Sequence, residues 1–330
     1  MPEVELHHVI ATLGDGSELA TPWWRVRSGE DGPDLLVLAA QHGNEVQGAE
    51  VIRRFACECG EALLRGTAWL VPFANLPAIR HRRNSILLGP EEKGTERHRA
   101  HNMNGQWPGD QAGNDIQRLG HALHEEIVRY ASHVIDLHCW NKFWATATLA
   151  TDDGGESRRM GEVAGTRFTW WREAAPVELP AQIRGAVVAR GGAGMAMELS
   201  GQYVMVEREV QTGVRTVTNV AKVLGMLAGE PDLPPDTGID VTDDTTAVVE
   251  APCSGLFVQA PELQLEDRVE AGQSLGHIIR DDDLSVEEIA APVGGWLWRF
   301  GSHRPDPDVS LADQHPYSQH GDPLASIVTG

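Results

Sequence analysis

The chain has 330 residues, 41% of them apolar and 23% charged, which is ample for a sizeable core and longer than an ordinary single domain of roughly 100–200 residues. A formal charge of −21 argues against nucleic acid or an anionic membrane as partner, and no apolar run of about 18 residues predicts a membrane span. The acidic start Met1-Pro2-Glu3-Val4-Glu5 has no signal-peptide pattern, and Cys57, Cys59, Cys139 and Cys253 show no disulfide-rich or C-x-x-C spacing, so a reducing, cytoplasmic location is expected.

Residues 4–27 alternate loosely around Gly14-Asp15-Gly16 and predict an antiparallel edge hairpin. The run Leu35-Leu36-Val37-Leu38-Ala39-Ala40 has no helical period and stops at Gln41-His42-Gly43-Asn44-Glu45, as a buried strand opening into a loop does. Residues 46–65 place Val46, Ala49, Ile52, Arg53 and Ala56 at helical spacing, and residues 67–73 read as a second strand. Strand, helix, strand predicts a parallel pair. Residues 89–113 are polar and rich in Gly and Pro, which predicts a long irregular loop of functional type. A helix is expected over 115–131, with Ile116, Leu119, Leu123, Ile127 and Val128 on its stripe. Residues 133–138 then read as a buried strand ending in His138, residues 193–199 as a strand carrying Glu198, and residues 204–228 as a closing helix.

Residues 229–236 have the composition of a linker, dividing the chain into an expected catalytic domain, 1–235, and a C-terminal β domain, 236–330. Residues 239–330 carry 17 acidic and 4 basic side chains, and Ala251-Pro252-Cys253-Ser254-Gly255-Leu256 recurs as Ala291-Pro292-Val293-Gly294-Gly295-Trp296. This repeat resembles the two-fold half-barrel of biotinyl and lipoyl domains. Such carriers attach their cofactor through lysine, and no lysine follows Lys222, so a carrier role is excluded. The fold class expected is α/β: a mixed, mostly parallel central sheet flanked by helices, with a small all-β domain after it.

Three strand ends thus present His42 with Glu45, then His138, then Glu198. Two imidazoles and a carboxylate suit one catalytic Zn2+ with a position left for water, and a further carboxylate, Glu198, suits the base that takes the water's proton. Asp136, two residues before His138, either orients a ligand or faces elsewhere in the core. His121 and His124, three apart on the expected helix, have no third ligand nearby and read as solvent-facing.

At this point the sequence resembles the succinylglutamate desuccinylase and aspartoacylase family, relatives of the zinc carboxypeptidases. The resemblance is carried by His42-Gly43-Asn44-Glu45, Asn75-Leu76-Pro77-Ala78, Asn102-Met103-Asn104-Gly105-Gln106-Trp107-Pro108-Gly109, Asp136-Leu137-His138 and Met197-Glu198-Leu199, in the family's order. It implies a zinc carboxypeptidase-like fold, His42, Glu45 and His138 as ligands of one zinc per chain, and Glu198 as general base and later acid. It further implies an arginine near the scissile carbonyl, Arg82 or Arg83, with Arg83 favoured, and Asn104 beside it in substrate binding. A tyrosine from the C-terminal domain enters the site in some relatives, for which Tyr317 is the candidate.

One position departs from the family. Where its arginine grips a substrate carboxylate, this chain has Gly105, which cannot form that bidentate fork; Arg97 and Arg99 are nearby but read as surface charge. The activity expected is hydrolysis of an amide in an N-acylated amino acid or related small molecule. A carboxypeptidase acting on short peptides is the alternative, weakened by Gly105, and a catalytically silent small-molecule-binding protein is the alternative of another class, weakened by the intact triad and base. A homo-oligomer is compatible with the sequence.

Overall fold

The structure, a computed structural model, describes residues 3–85, 96–173, 181–302 and 315–330. Among these, nine strands form the central sheet: β1 (Glu3–Thr12), β2 (Glu18–Arg27), β3 (Asp34–Ala39), β4 (Thr67–Val71), β5 (His133–Trp140), β6 (Ala147–Asp152), β7 (Phe168–Glu173), β8 (Ala193–Ser200) and β9 (Ile239–Asp240). Their order is β1-β2-β4-β3-β5-β8-β6-β7-β9. The centre, β4-β3-β5-β8, is parallel throughout; β1 and β2 pair antiparallel with their neighbours, and β6 pairs antiparallel with β8 but parallel with β7.

Strands β3, β5 and β8 are apolar on both faces because helices cover both. On one face α1 (Gln47–Ala62), α5 (Glu156–Glu162) and α7 (Glu207–Val223) enclose Leu35, Val37, Ile135, Leu137, Met195 and Met197. On the other, α2 (Leu76–His81), α3 (Glu96–His101), α4 (Asp115–Glu126) and α6 (Ile183–Val188) join the chain, and α4 and α6 cover Leu36, Leu38 and Val134. The stripe of α1 is Val51, Ile52, Phe55, Ala56 and Cys59, so Arg53, placed on it by the sequence reading, instead points outward to Glu50. Buried Gln47 and Gly48 shift the phase. A Cβ at Gly48 would lie 2.8 Å from the Cβ atoms of Ala39 and Leu137, so glycine lets the helix settle onto the sheet.

The segment 89–113 is less irregular than its composition suggests: α3 and a 3-10 turn, Met103–Gly105, lie within its described part, residues 96–113. The units β6, α5, β7 and α6, between residues 147 and 188, have no counterpart in the sequence reading. Beyond the linker, β10 (Thr246–Glu250), β11 (Gly255–Gln259), β12 (Arg268–Val269), β13 (Ser274–Arg280), β14 (Val286–Ala290), β15 (Gly295–Phe300), β16 (Tyr317–Ser318) and β17 (Pro323–Val328) make two four-stranded antiparallel sheets, β10-β17-β15-β12 and β14-β13-β11-β16. The sequence repeat has a structural reason. Gly255 and Gly295 each open a strand so close to its partner that a Cβ would lie 2.2 Å from the Ile279 carbonyl oxygen or 2.5 Å from that of Val328. Trp298 fixes this region to the central sheet through edge contacts with Trp140, Trp144 and Phe168.

Candidate metal centre

The carboxyl ends of β3, β5 and β8 lie side by side, with His138 in register with Glu198. In open α/β sheets this is where ligands bind. At the end of β3 the backbone of Ala40 turns left-handed (φ 58°), a conformation that costs a non-glycine residue of order 1 kcal/mol or more and here breaks the strand just ahead of Gln41 and His42.

His42, Glu45 and His138 converge there. Both Glu45 oxygens are engaged, Oε1 2.8 Å from His42 Nδ1 and Oε2 2.8 Å from His138 Nδ1, and the three ligand atoms lie within 4.8 Å of one another. All three residues are buried. The far nitrogens decide the tautomers. Asn102 Oδ1 accepts the Asn104 backbone N–H, which orients its amide, and it lies 2.9 Å from His42 Nε2. Asp136 Oδ2 lies 3.0 Å from His138 Nε2. With a cation held between them, each imidazole would therefore keep its proton on Nε2 and present Nδ1 on the side of Glu45.

Lone pairs of two imidazoles and a carboxylate facing one another in a buried space call for a cation. The proton affinities express this. Burial opposes charge on His138, but Asp136 and Glu45 outweigh it and raise its pKa well above the ordinary value; Glu45 raises that of His42 in the same way. Glu45 itself, against the effect of burial, is drawn down to about 2 by the two imidazoles. The residues fit a zinc-type ion: two imidazole Nδ1 atoms, one carboxylate, and outer hydrogen bonds already set.

Further side chains hold this arrangement. Gln41, fully buried, donates from Nε2 to both oxygens of Asp136 at 2.8 and 2.9 Å and accepts the Trp107 indole N–H at 2.7 Å. The Cys139 N–H donates to Glu45 Oε2, and Gln202 donates to the Cys139 carbonyl. Asp136 thus faces the centre. Gln41, Asn102, Gln202 and Trp107 were given no role on sequence grounds; Gln41 and Asn102 stand inside motifs already singled out, whereas Gln202 carries no such signal.

Glu198, partly accessible, has its pKa pushed up to about 8, first by burial and then by Glu45 and Asp136, against the pull of His138 and His42. A divalent cation among the three ligand atoms would draw it down again. Arg83 is exposed, and its backbone abuts the ligand loop: a Cβ at Gly43 would lie 2.5 Å from the Arg83 carbonyl oxygen, and the Gly43 N–H donates to Asn84. Arg82 forms the left-handed cap of α2 (φ 55°), which folds Arg83 back onto that loop. Among the described residues, the side-chain oxygen of partly buried Asn104 has no hydrogen-bond partner, and no atom lies within 4 Å of a Cβ built on exposed Gly105. Tyr317 gives its hydroxyl to Asp281 at 2.5 Å, within the C-terminal sheets. The Arg97 side chain lies outside the described residues, and His121 and His124 join no metal-type cluster among them.

Residues 31–224 match the family model of the succinylglutamate desuccinylase/aspartoacylase catalytic domain. The chain belongs to that family. It is a family of deacylases, and the fold of this member is carboxypeptidase-like. The chain is 26% identical over 263 residues, 77% of its length and 72% of the relative's, to an N-alpha-acetyl-L-2,4-diaminobutyric acid deacetylase of Halomonas elongata. A succinylglutamate desuccinylase/aspartoacylase structure from Rhodobacter sphaeroides superposes with a TM-score of 0.70 at 21% identity, covering 98% of this chain and 94% of that one. A metallo-carboxypeptidase from Burkholderia cenocepacia does so at 0.52 and 13% identity, over 68% of this chain and 65% of its own. Among the described residues no helix is long and apolar enough to cross a membrane.

Proposed function

We propose that the protein is a zinc-dependent deacylase that hydrolyses the amide of a small N-acylated amino acid, with one zinc per chain held by His42, Glu45 and His138. The observation that carries this reading is the convergence of two imidazole Nδ1 atoms and a carboxylate within 4.8 Å, each imidazole met from behind by an oxygen acceptor. Zinc, when bound, supplies Lewis acidity and brings the pKa of a water toward about 7. Glu198 takes the proton of the attacking water and returns it to the leaving amine. Arg83 offers its guanidinium to the carbonyl oxygen as charge develops there, and Asn104, whose buried side-chain oxygen has no hydrogen-bond partner among the described residues, contributes to substrate binding.

The substrate we favour is an acetylated diamino acid. Gly105 removes the family's guanidinium fork, so a second substrate carboxylate finds no partner at that position, and the Halomonas elongata relative is named for a substrate with an amine there instead. The four free cysteines suit a reducing cytoplasm, and we place the domain boundary at 235/236, with the C-terminal sheets as a half-barrel of biotinyl-domain type.

Protein purified without chelator should contain one zinc per chain and hydrolyse Nα-acetyl-2,4-diaminobutyrate with a higher kcat/KM than N-acetylaspartate, succinylglutamate or dipeptides. Loss of metal without loss of turnover would overturn the mechanism, and a best substrate among the dicarboxylates would overturn the specificity.

A further inference from the structure

β1 is the outermost strand of the nine-stranded sheet, and among the described residues nothing pairs with its free edge. Such an edge is a template for another strand, and natural proteins blunt it with proline, lysine, a bulge or brevity. β1 has no proline, lysine or bulge, and its acidic charge is confined to Glu3 and Glu5 at its start: ten residues, Glu-Val-Glu-Leu-His-His-Val-Ile-Ala-Thr, in unbroken register with β2. Its outward row, Val4, Leu6 and Ile10, is 50, 61 and 51% exposed. On the inner side a groove of about 640 Å3 runs between His8 to Thr12 of β1 and Arg118, His121, Glu125 and Glu126 of α4. A strand edge beside a helix is the setting in which an extended chain adds as a further strand.

We infer that the occupant is β1 of a second copy, added antiparallel about a two-fold axis at His7. The charge order argues for it. Asp115, the first residue of α4, accepts the N–H of Gly14 just beyond β1, and later turns of α4 line the groove beside His8, so the helix runs back along the strand. It presents Arg118 and His121 first, then Glu125 and Glu126. A strand antiparallel to β1 runs in the direction of α4, and β1 read in its own direction presents on its inward row Glu3 and Glu5 first, then His7. Acids therefore meet Arg118 and His121, and the His7 imidazole meets Glu125 and Glu126, while His8 stays on the outward row. Glu5 is already held by Arg25 and Glu125 by Arg129, so Glu3 and Arg118, which have no ion pair among the described residues, form the leading contact. With the axis at His7, Val4 falls opposite Ile10 and Leu6 opposite His8 of the second copy, joining the two exposed apolar rows.

The test is sedimentation of the purified full chain, expected at twice its 35.9 kDa. Arg118→Glu should weaken association by roughly tenfold or more, since each dimer contains the contact twice, and Glu3→Arg with Arg118→Glu should restore it. His7→Cys in a Cys57→Ser background should form an interchain disulfide on mild oxidation, whereas Glu18→Cys on β2 should not. Circular dichroism confirms that each variant folds. A monomeric parent protein overturns the inference, as does a dimer whose folded His7→Cys variant fails to cross-link or whose affinity ignores both charge changes.

Discussion

Gln41→Leu tests the least visible part of the centre. The substitution keeps the volume of a fully buried side chain while removing its amide, which donates to Asp136 at 2.8 and 2.9 Å and accepts from Trp107 at 2.7 Å. Losing a donor to a charged, buried carboxylate costs about 1.5–3 kcal/mol, and stranding the indole N–H costs about 1–3 kcal/mol. The metal-free protein should therefore lose about 3–5 kcal/mol of unfolding free energy in urea denaturation. Because Asp136 orients His138, metal affinity measured by chelator competition should fall roughly 10- to 100-fold. Trp107→Phe removes the stranded donor, so Gln41→Leu should cost about 1–3 kcal/mol less in that background. If Gln41→Leu stays within about 1 kcal/mol of the parent and keeps its metal affinity, the amide does not hold Asp136 and His138 in place.

His138→Ala should reduce bound zinc well below one per chain by elemental analysis; unchanged zinc would remove His138 from the ligand set. Glu198→Gln should keep fold and zinc while lowering kcat by about 10²–10⁴, and a variant retaining more than about a tenth of parental turnover would move the base elsewhere. The metal-free protein should become less stable as pH rises. Despite burial, Asp136 and Glu45 hold the folded pKa of His138 well above 6.5, so its contribution is complete below 6.5 and is lost as pH climbs through the folded value. Urea titrations from about pH 6 to about pH 9 check this, and a profile no steeper than that of zinc-loaded protein would refute it. Gly105→Arg should fold normally, since its Cβ meets open space, and should raise kcat/KM on N-acetylaspartate without improving turnover of the acetylated diamino acid; the reverse pattern would show that position 105 does not read a carboxylate.

His42, His138 and Glu198 were legible because each ends an apolar run, and hydrophobic periodicity is the strongest signal a single sequence carries. The same signal misled at α1, whose buried face includes Gln47. That residue looks polar in sequence but gives its amide to the carbonyls of Ser200 and Gly201, across 153 and 154 positions. It was silent at β6, where Ala147-Thr148-Leu149-Ala150 is too weakly apolar to stand out and runs antiparallel to β8 with no hairpin between them. Gln202 was out of reach for a related reason. A glutamine in a loop has no period, and its role exists only once β5 and β8 lie side by side.

The turn at residues 102–109 separates two requirements that the sequence merges into one motif. Asn102 faces inward, its oxygen fixed between His42 and the Asn104 N–H, so replacing it removes the acceptor that orients the His42 ring. Trp107 also faces inward, onto Gln41. Between them Gly105 is exposed, and a Cβ there would touch no atom of the described residues. Positions 102 and 107 are therefore tied to the cluster of His42, Glu45 and His138, while at position 105 a Cβ would meet no atom of the described residues. A family that keeps its chemistry while changing its substrate has in this turn a place to do so, which is why Gly105, rather than any ligand, is the residue on which this member's specificity should be tested.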